Sequence, residues 1–200
     1  MKRIVKKSDS LVILENLKYR SKGNNSRLSE VLFKEQKGFC AYTEEYISFE
    51  DANDIEHFNP TLKNSEADNY KNWYIVKHLP NQRKTNNWLE PILQPYQEDF
   101  EKRIIYNDGA YFSEPNDIEA KNLIDLLDLN NFQKVQLRKR YIKRRKDALL
   151  KRNVNLYDIE NIKQYFQEKI DGEIEESIKY LRAIQEEFNI DIWNMIPEQI

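Results

Sequence analysis

Cysteine and histidine are both scarce in this chain of 200 residues, which contains one cysteine, Cys40, and two histidines, His57 and His78. A single thiol can form no internal disulfide and cannot supply a zinc site of four cysteines. Long hydrophobic runs are also missing, because the longest aliphatic run covers only residues 11–14, whereas a membrane span needs roughly 20 apolar residues. We therefore expect neither a membrane protein nor a secreted one, and we predict that the chain is cytoplasmic.

What the chain does contain is a balance of apolar and charged residues. Hydrophobic residues make up 40% and charged residues 33%, so the chain can bury a core and remain in solution. A length of 200 residues corresponds to about one to one and a half domains. We expect one compact body with an appendage.

Charge is segregated along the chain, although the net charge is only −2. Residues 1–37 carry +6 (ten basic, four acidic) and residues 134–152 carry +9 (ten basic, one acidic). Residues 38–133 carry −10 (eight basic, eighteen acidic) and residues 153–200 carry −7 (four basic, eleven acidic). This pattern indicates basic flanks that could hold a polyanion and an acidic middle that could hold a cation. The alternative is that each charged run is the solvated face of a helix.

The local patterns of the first half predict a mixture of helix and strand. Apolar residues at helical spacing predict an amphipathic helix over residues 27–37. Short aromatic and β-branched pieces between residues 42 and 76 predict a small, irregular β region. Pro80 precedes a polar stretch and predicts a short helix that carries Asn81 and Lys84.

The second half is mainly helical in its patterns. The turn sequence at residues 107–110 predicts a β-hairpin, because Asp-Gly favours the left-handed backbone of a tight turn. An apolar helix is predicted over residues 118–129, with Asn116 as its capping residue. A strongly basic helix is predicted over residues 132–150, and one or two acidic helices are predicted after residue 153.

One histidine lies in a run of residues suited to metal-assisted hydrolysis. Glu56 and His57 are adjacent, Asn72 follows 15 residues after His57, and Asn81 follows nine residues later with Lys84 on the next helical turn. Alternation along a strand points Glu56 and His57 to opposite faces. A strand end beside a proline turn could still steer both side chains toward one site.

This order of residues resembles the HNH, or ββα-metal, endonucleases, in which a β-hairpin and a helix hold one divalent metal ion against a phosphodiester. The likeness spans about residues 28–150 and is similar in detail to the small HNH proteins of the Septu and retron-associated phage-defence systems. It implies an α+β fold with a small ββα-metal core embedded in a mainly α-helical chain. Residues 1–152 would form the nuclease domain with the N-terminal and basic helices, and residues 153–200 an acidic helical C-terminal extension.

The resemblance also implies a role for each residue of the motif. His57 is similar to the general base, Glu56 and Asn81 to the ligands of Mg²⁺ or Mn²⁺, and Asn72 to the residue that orients the loop of the base. The chemistry is consistent with these roles, because hard cations prefer oxygen ligands. A free imidazole, with a pKa near ~6.5, is mostly neutral at pH 7 and can accept the proton of a water.

The resemblance carries further expectations about partners and cofactors. Three of the four thiols of the family's structural zinc site are missing, so we expect no structural zinc. An SMC-like ATPase is the implied protein partner, in bacterial anti-phage defence, and no membrane is implied. The predicted nucleic-acid contacts are Lys84, Arg83, Arg138, Arg140, Lys143 and Arg144.

Three alternatives stay open at this point. The substrate could be transfer RNA in place of DNA, or the chain could be a degenerate, non-catalytic subunit that binds nucleic acid. Asp54 could compete with Glu56 for the metal ion. His78 is interpreted as a structural residue.

Overall fold

The computed structural model describes residues 1–84 and 86–198, without the side chains of residues 81–83. The architecture of this part is α+β, with two separate antiparallel strand pairs among helices. The strands are β1 (Asn53–His57), β2 (Trp73–Lys77), β3 (Ile105–Asn107) and β4 (Ala110–Phe112). The helices are α1 (Leu11–Leu14), α2 (Ser26–Glu35), α3 (His78–Lys84), α4 (Phe100–Arg103), α5 (Ile118–Leu126), α6 (Phe132–Lys151), α7 (Ile159–Ser177), α8 (Leu181–Phe188) and α9 (Ile192–Met195). Within the described residues, no helix combines the length and hydrophobicity that crossing a bilayer requires.

The first strand pair runs directly into a helix. β1 and β2 are antiparallel, with His57 opposite Trp73 at one end and Asn53 opposite Lys77 at the other. Helix α3 starts at the residue after β2 and packs on both strands. It begins two residues before Pro80, earlier than the sequence predicted, because proline in the first helical turn lacks only an N–H that would be unpaired anyway.

Helix α2 packs its predicted apolar face on β2. Leu28, Val31 and Leu32 are buried, as expected from their helical spacing. Gly38 then adopts a positive φ of 79°, a conformation that a residue with a Cβ adopts only with strain. The chain can therefore turn back against β2 directly after the helix.

A side chain covers the edge of β2 that faces away from β1. The buried amide of Gln36 donates to the carbonyl oxygens of Ile75 (2.8 Å) and Phe39 (2.9 Å), and it accepts from the N–H of Ile75 at 2.8 Å. Beside it, the N–H of Lys77 donates to Sγ of Cys40 at 3.3 Å. The backbone N–H of Ala41 also donates to the carbonyl oxygen of Ile75 at 3.0 Å. Gln36 and Ala41 thus cover this edge together, and Gln36 attaches the end of α2 to the sheet.

The predicted β-hairpin is confirmed. β3 and β4 are antiparallel, and Asp108 and Gly109 between them have φ values of 43° and 81°. Helix α6 packs closely on this turn, since a Cβ on Gly109 would lie 2.6 Å from Cγ of Lys139 and 3.0 Å from the carbonyl oxygen of Val135. Glycine is therefore required both by the turn and by the approach of α6.

Arg138 corrects one expectation from the sequence. It was predicted to contact nucleic acid, yet it is buried in the contact between α6 and the hairpin. Its guanidinium donates to the carbonyl oxygens of Gly109 (2.6 Å) and Leu129 and stacks 4.8 Å from the ring centroid of Tyr111. Arg138 therefore satisfies buried backbone acceptors and is turned away from the surface.

Replacing Arg138 with leucine is expected to lower the free energy of unfolding by about 2–4 kcal/mol, because each buried carbonyl left without a donor costs about 1–3 kcal/mol. Arg140→Leu is the matched control, since Arg140 lies on the exposed face of the same helix. Urea unfolding of both variants provides the measurement. Equal stability of the two variants would show that the guanidinium contributes nothing at this position.

The acidic C-terminal segment packs on the rest of the chain. In α8, the guanidinium of Arg182 pairs with Glu101 at the start of α4. The hydroxyl of Tyr180 donates to Glu45 at 3.1 Å. Ile192 and Ile196 are buried in the common core. Among the described residues after 153 there are three helices, α7, α8 and α9, where one or two were predicted. They bury apolar surface against the body, which is one of the two placements expected for this segment, the other being a partner.

Candidate active site

His57 ends β1 and is almost fully enclosed, with 4% of the residue exposed. Its Nδ1 lies 2.8 Å from Oδ2 of Asp68, at hydrogen-bond distance but off the ideal N–H direction. The ring of Tyr19 meets the imidazole edge-on, with 4.4 Å between the centroids. Nε2 is buried and has no hydrogen-bond partner among the described residues.

Asp68 connects His57 to two further residues of the site. While Oδ2 faces the imidazole, Oδ1 accepts from Nδ2 of Asn72 and from Nε1 of Trp73, both at 2.8 Å. Asp68 is not among the residues that the sequence pattern indicates, because it lies in a polar connection between β1 and β2 that has no periodic pattern. Its position four residues before Asn72 is the only signal that could have indicated it.

Asn72 fixes the backbone that leaves β1. Its Oδ1 accepts from the N–H of Asn59 at 2.7 Å, and its Nδ2 donates to the carbonyl oxygen of the same residue at 3.1 Å. Both hydrogen bonds hold the chain two residues beyond His57 against the start of β2. This geometry matches the orienting role expected for Asn72, and the role itself remains a prediction.

The environment of His57 favours the neutral imidazole. Burial lowers the pKa of His57 below its usual value, and the nearby charge of Lys63 lowers it further. The Asp68 carboxylate acts in the opposite direction and raises this pKa. The sum of these effects lowers the pKa of His57 from its usual value of 6.5, which favours the uncharged ring at neutral pH.

Glu56 lies on the other face of β1 and has its own partners. Its Oε1 is 2.8 Å from Nζ of Lys84 and accepts from the hydroxyl of Tyr42 at 2.9 Å. All three side chains are buried. Burial, followed by the charge of Glu56, raises the pKa of Tyr42 well above its usual value, so Tyr42 remains a hydrogen-bond donor.

Lys84 is the second predicted nucleic-acid contact whose position differs from expectation. It is only 3% exposed, and its ammonium group lies against Glu56. A buried carboxylate requires a compensating cation, because an unpaired charge in the interior is costly. In this conformation Lys84 neutralises Glu56 and does not reach a phosphate at the surface.

Two other predicted residues of α3, Asn81 and Arg83, have side chains outside the described residues. Among the residues that the structure does describe, no group of three or more His, Cys, Asp or Glu side chains is arranged to hold a metal ion. Of the two residues predicted to bind the metal ion, Glu56 is the one whose side chain the structure describes.

The second histidine forms a similar pair in a more open place. Nδ1 of His78 lies 2.8 Å from Oδ2 of Asp54, and these side chains are 45% and 32% exposed. Both residues line an open groove of about 840 Å³. The pair connects the start of α3 to β1, in keeping with the structural role expected for His78.

Tyr19 separates this groove from a second cavity. The second cavity has a volume of about 460 Å³, and its lining includes Asp68 and Trp73. Tyr19 lines both spaces, whereas His57 is not among the residues that line either of them. Tyr19 therefore contacts the imidazole and also lines both of the neighbouring spaces.

The remaining predicted contacts lie on the exposed face of α6. Arg140, Lys143 and Arg144 are all exposed, and Lys143 pairs with Asp147 one turn later at 2.7 Å. Helix α6 packs on α8 and on the β3–β4 turn. These three side chains are thus available to a polyanion.

Comparison of the chain with family models, with curated proteins and with solved structures gave no significant match.

Proposed function

We propose that this chain is a metal-dependent endonuclease of the HNH type that hydrolyses phosphodiester bonds, with DNA as its substrate. The observation that carries the proposal is the position of His57. It ends the first strand of a β1–β2–α3 unit, and its Nδ1 faces a buried carboxylate at 2.8 Å. A histidine held in this way has one nitrogen committed to orientation and the other available for proton transfer.

Each described residue then has a defined task. Nε2 of His57 accepts a proton from the attacking water. Asn72 holds the segment after His57 through its two hydrogen bonds to Asn59. Tyr42 donates to Glu56 and keeps that carboxylate oriented. The basic residues of α6 that are exposed hold the phosphate backbone of the substrate.

Glu56 is compatible with a metal ligand in chemistry and charge. A hard divalent cation prefers carboxylate oxygen, and the presence of Lys84 at 2.8 Å shows that a positive charge can be accommodated beside Glu56. Asn81 is the second ligand that the resemblance implies. The ion would supply electrostatic stabilisation of the charge that develops on the phosphate. Its binding requires Lys84 to share Glu56 or to withdraw from it.

The burial of His57 has a consequence for substrate entry. With 4% of His57 exposed, a phosphate can reach Nε2 only after neighbouring groups move aside, and Tyr19 is one of the groups that contact the imidazole. The bacterial defence role and the SMC-like ATPase partner belong to the same proposal and rest on the sequence resemblance alone. Displacement of these groups is the change that such a partner would need to promote.

A second candidate function is a subunit that binds nucleic acid without cleaving it. The observation that favours it is the buried ion pair of Glu56 and Lys84, in which the candidate metal ligand is already neutralised. Both functions use the exposed basic face of α6, so both predict binding that weakens as salt is raised. The two functions differ in whether the bound nucleic acid is cleaved.

The test is a cleavage assay with the full chain on plasmid DNA and transfer RNA in parallel, with Mg²⁺ or Mn²⁺. We expect DNA cleavage that is lost when a chelator is added and restored when excess metal is returned. Salt-sensitive binding without cleavage of either substrate, with each metal, would favour the binding subunit. If transfer RNA alone were cleaved, the substrate would be RNA and not DNA, and the proposed hydrolysis of phosphodiester bonds would still hold.

A further inference from the structure

We propose that Asp68 is a positioning residue that holds His57 as the tautomer protonated on Nδ1 and so leaves Nε2 as the proton acceptor. This inference deepens the proposed function and rests on it for the role of Nε2. The state of the imidazole itself can be measured whether or not the chain is a nuclease.

The hydrogen bonds of Asp68 determine which of its partners donate. The indole N–H of Trp73 and the side-chain amide N–H of Asn72 are both donors, and both point at Oδ1 of Asp68. Oδ2 then meets Nδ1 of His57 at 2.8 Å. Two lone pairs would repel at that distance, so one of the two atoms carries a proton, and the contact departs from the ideal N–H direction.

The placement of that proton follows from the surroundings of Asp68. Asp68 accepts the N–H groups of Asn72 and Trp73 on Oδ1, so its neighbours already use it as a hydrogen-bond acceptor. The proton therefore resides on Nδ1 of His57, which donates to Oδ2. Nε2 is left with its lone pair, and it has no hydrogen-bond partner among the described residues.

Asp68 is also held firmly enough to determine the orientation of the ring. Trp73 begins β2 and lies opposite His57 in the strand pair, so the group that fixes Asp68 belongs to the neighbouring strand. The side chain of Asp68 is 5% exposed, so water has little access to compete for Nδ1. The imidazole can rotate only if this hydrogen bond breaks.

The chain contains a matched control for this pair. His78 and Asp54 repeat the contact between Nδ1 and Oδ2 at the same 2.8 Å, but with 45% and 32% of these side chains exposed. Water can take the place of Asp54 there. With only two histidines in the sequence, the imidazole signals of the whole protein can be assigned with a single His78→Gln variant.

The experiment is nitrogen-15 NMR of the imidazole groups in the full chain at pH 8, for the unmodified protein, Asp68→Asn and Asp54→Asn. We expect His57 of the unmodified protein to carry its proton on Nδ1. Asp68→Asn should shift the signals of His57 toward the tautomer protonated on Nε2, because an amide N–H facing Nδ1 requires an acceptor. Asp54→Asn should leave the signals of His57 unchanged.

The proposal is overturned if His57 of the unmodified protein carries its proton on Nε2, or if Asp68→Asn folds and leaves the tautomer as it was. The spectrum of the unmodified protein decides the first point even if Asp68→Asn fails to fold, and Asp68→Glu, which keeps the charge, then serves as the second variant. Asp68→Glu should retain the Nδ1 tautomer.

Kinetics provide the readout that links the tautomer to catalysis. A wrong tautomer in a His–Asp pair can cost about 10⁴-fold in kcat, and we expect Asp68→Asn to lower kcat by at least ~10²-fold with KM nearly unchanged. An Nδ1 tautomer in a protein without nuclease activity would reject the proposed function alone. An active Asp68→Asn variant with the opposite tautomer would reject the positioning role alone.

Discussion

Cleavage of DNA is expected to fall by ~10²- to 10⁴-fold when His57 is replaced by alanine, because the variant lacks the group that accepts the proton of the attacking water. The assay is the plasmid cleavage described above, at saturating Mg²⁺. The loss should appear in kcat, since the substrate backbone is held elsewhere, by the exposed residues of α6. A solvent hydroxide can replace the base in part, so activity should rise with pH more steeply in the variant.

His78→Ala is the control for this experiment, because it removes the other imidazole of the chain. His78, at the start of α3, contacts Asp54 of β1, and we assign His78 no part in cleavage. His57→Ala also leaves Asp68 without one of its donors, so thermal melting of both variants must accompany the assay. Full cleavage by a folded His57→Ala protein would remove the basis of the proposed function.

The stability of the protein is expected to fall by about 3–5 kcal/mol when Lys84 is replaced by methionine, because that change leaves the Glu56 charge buried without a partner. Lys84 and Glu56 are 3% and 6% exposed, with 2.8 Å between Nζ and Oε1. Glu56→Gln in the same chain removes the orphaned charge. The double variant should therefore recover most of the loss, which urea unfolding can measure.

An exposed ion pair on α6 provides the comparison. Lys143 pairs with Asp147 at 2.7 Å, but its side chain is 75% exposed, and such pairs contribute about 0–1 kcal/mol. Lys143→Met should thus change stability by less than about 1 kcal/mol. If Lys84→Met were equally mild, the Glu56 carboxylate would have to be reached by water or protonated in the variant.

The elements that the sequence predicted well are those whose structure depends on residues close to one another in the sequence. The hairpin at residues 105–112 follows from a turn that requires positive φ at Asp108 and Gly109. Helices α2 and α6 follow from apolar spacing over several turns. Small differences arise at the ends, as for α5, where Asp117 caps the helix in place of Asn116, because either side chain can accept the first free N–H groups.

The misplaced residues are those whose position depends on distant parts of the chain. Arg138 has the same sequence signal as its basic neighbours on α6, and only the packing of the hairpin shows that it is buried against two carbonyl oxygens. Lys84 is misplaced for the same reason, because only the fold brings its ammonium group to the carboxylate of Glu56. Asp68 is one of many acidic residues in the middle of the chain until the fold brings it to His57.

The amide of Gln36 also limits how this protein can associate with copies of itself. Isolated two-stranded sheets usually present unpaired peptide groups, and such edges recruit strands from other molecules in domain swapping and fibril growth. At Ile75 the Gln36 side chain occupies both the donor and the acceptor of the outer edge, and the backbone N–H of Ala41 also donates to that acceptor. Strand addition at that position would first have to displace a buried glutamine, which makes the sheet a poor template for aggregation on its α2 side.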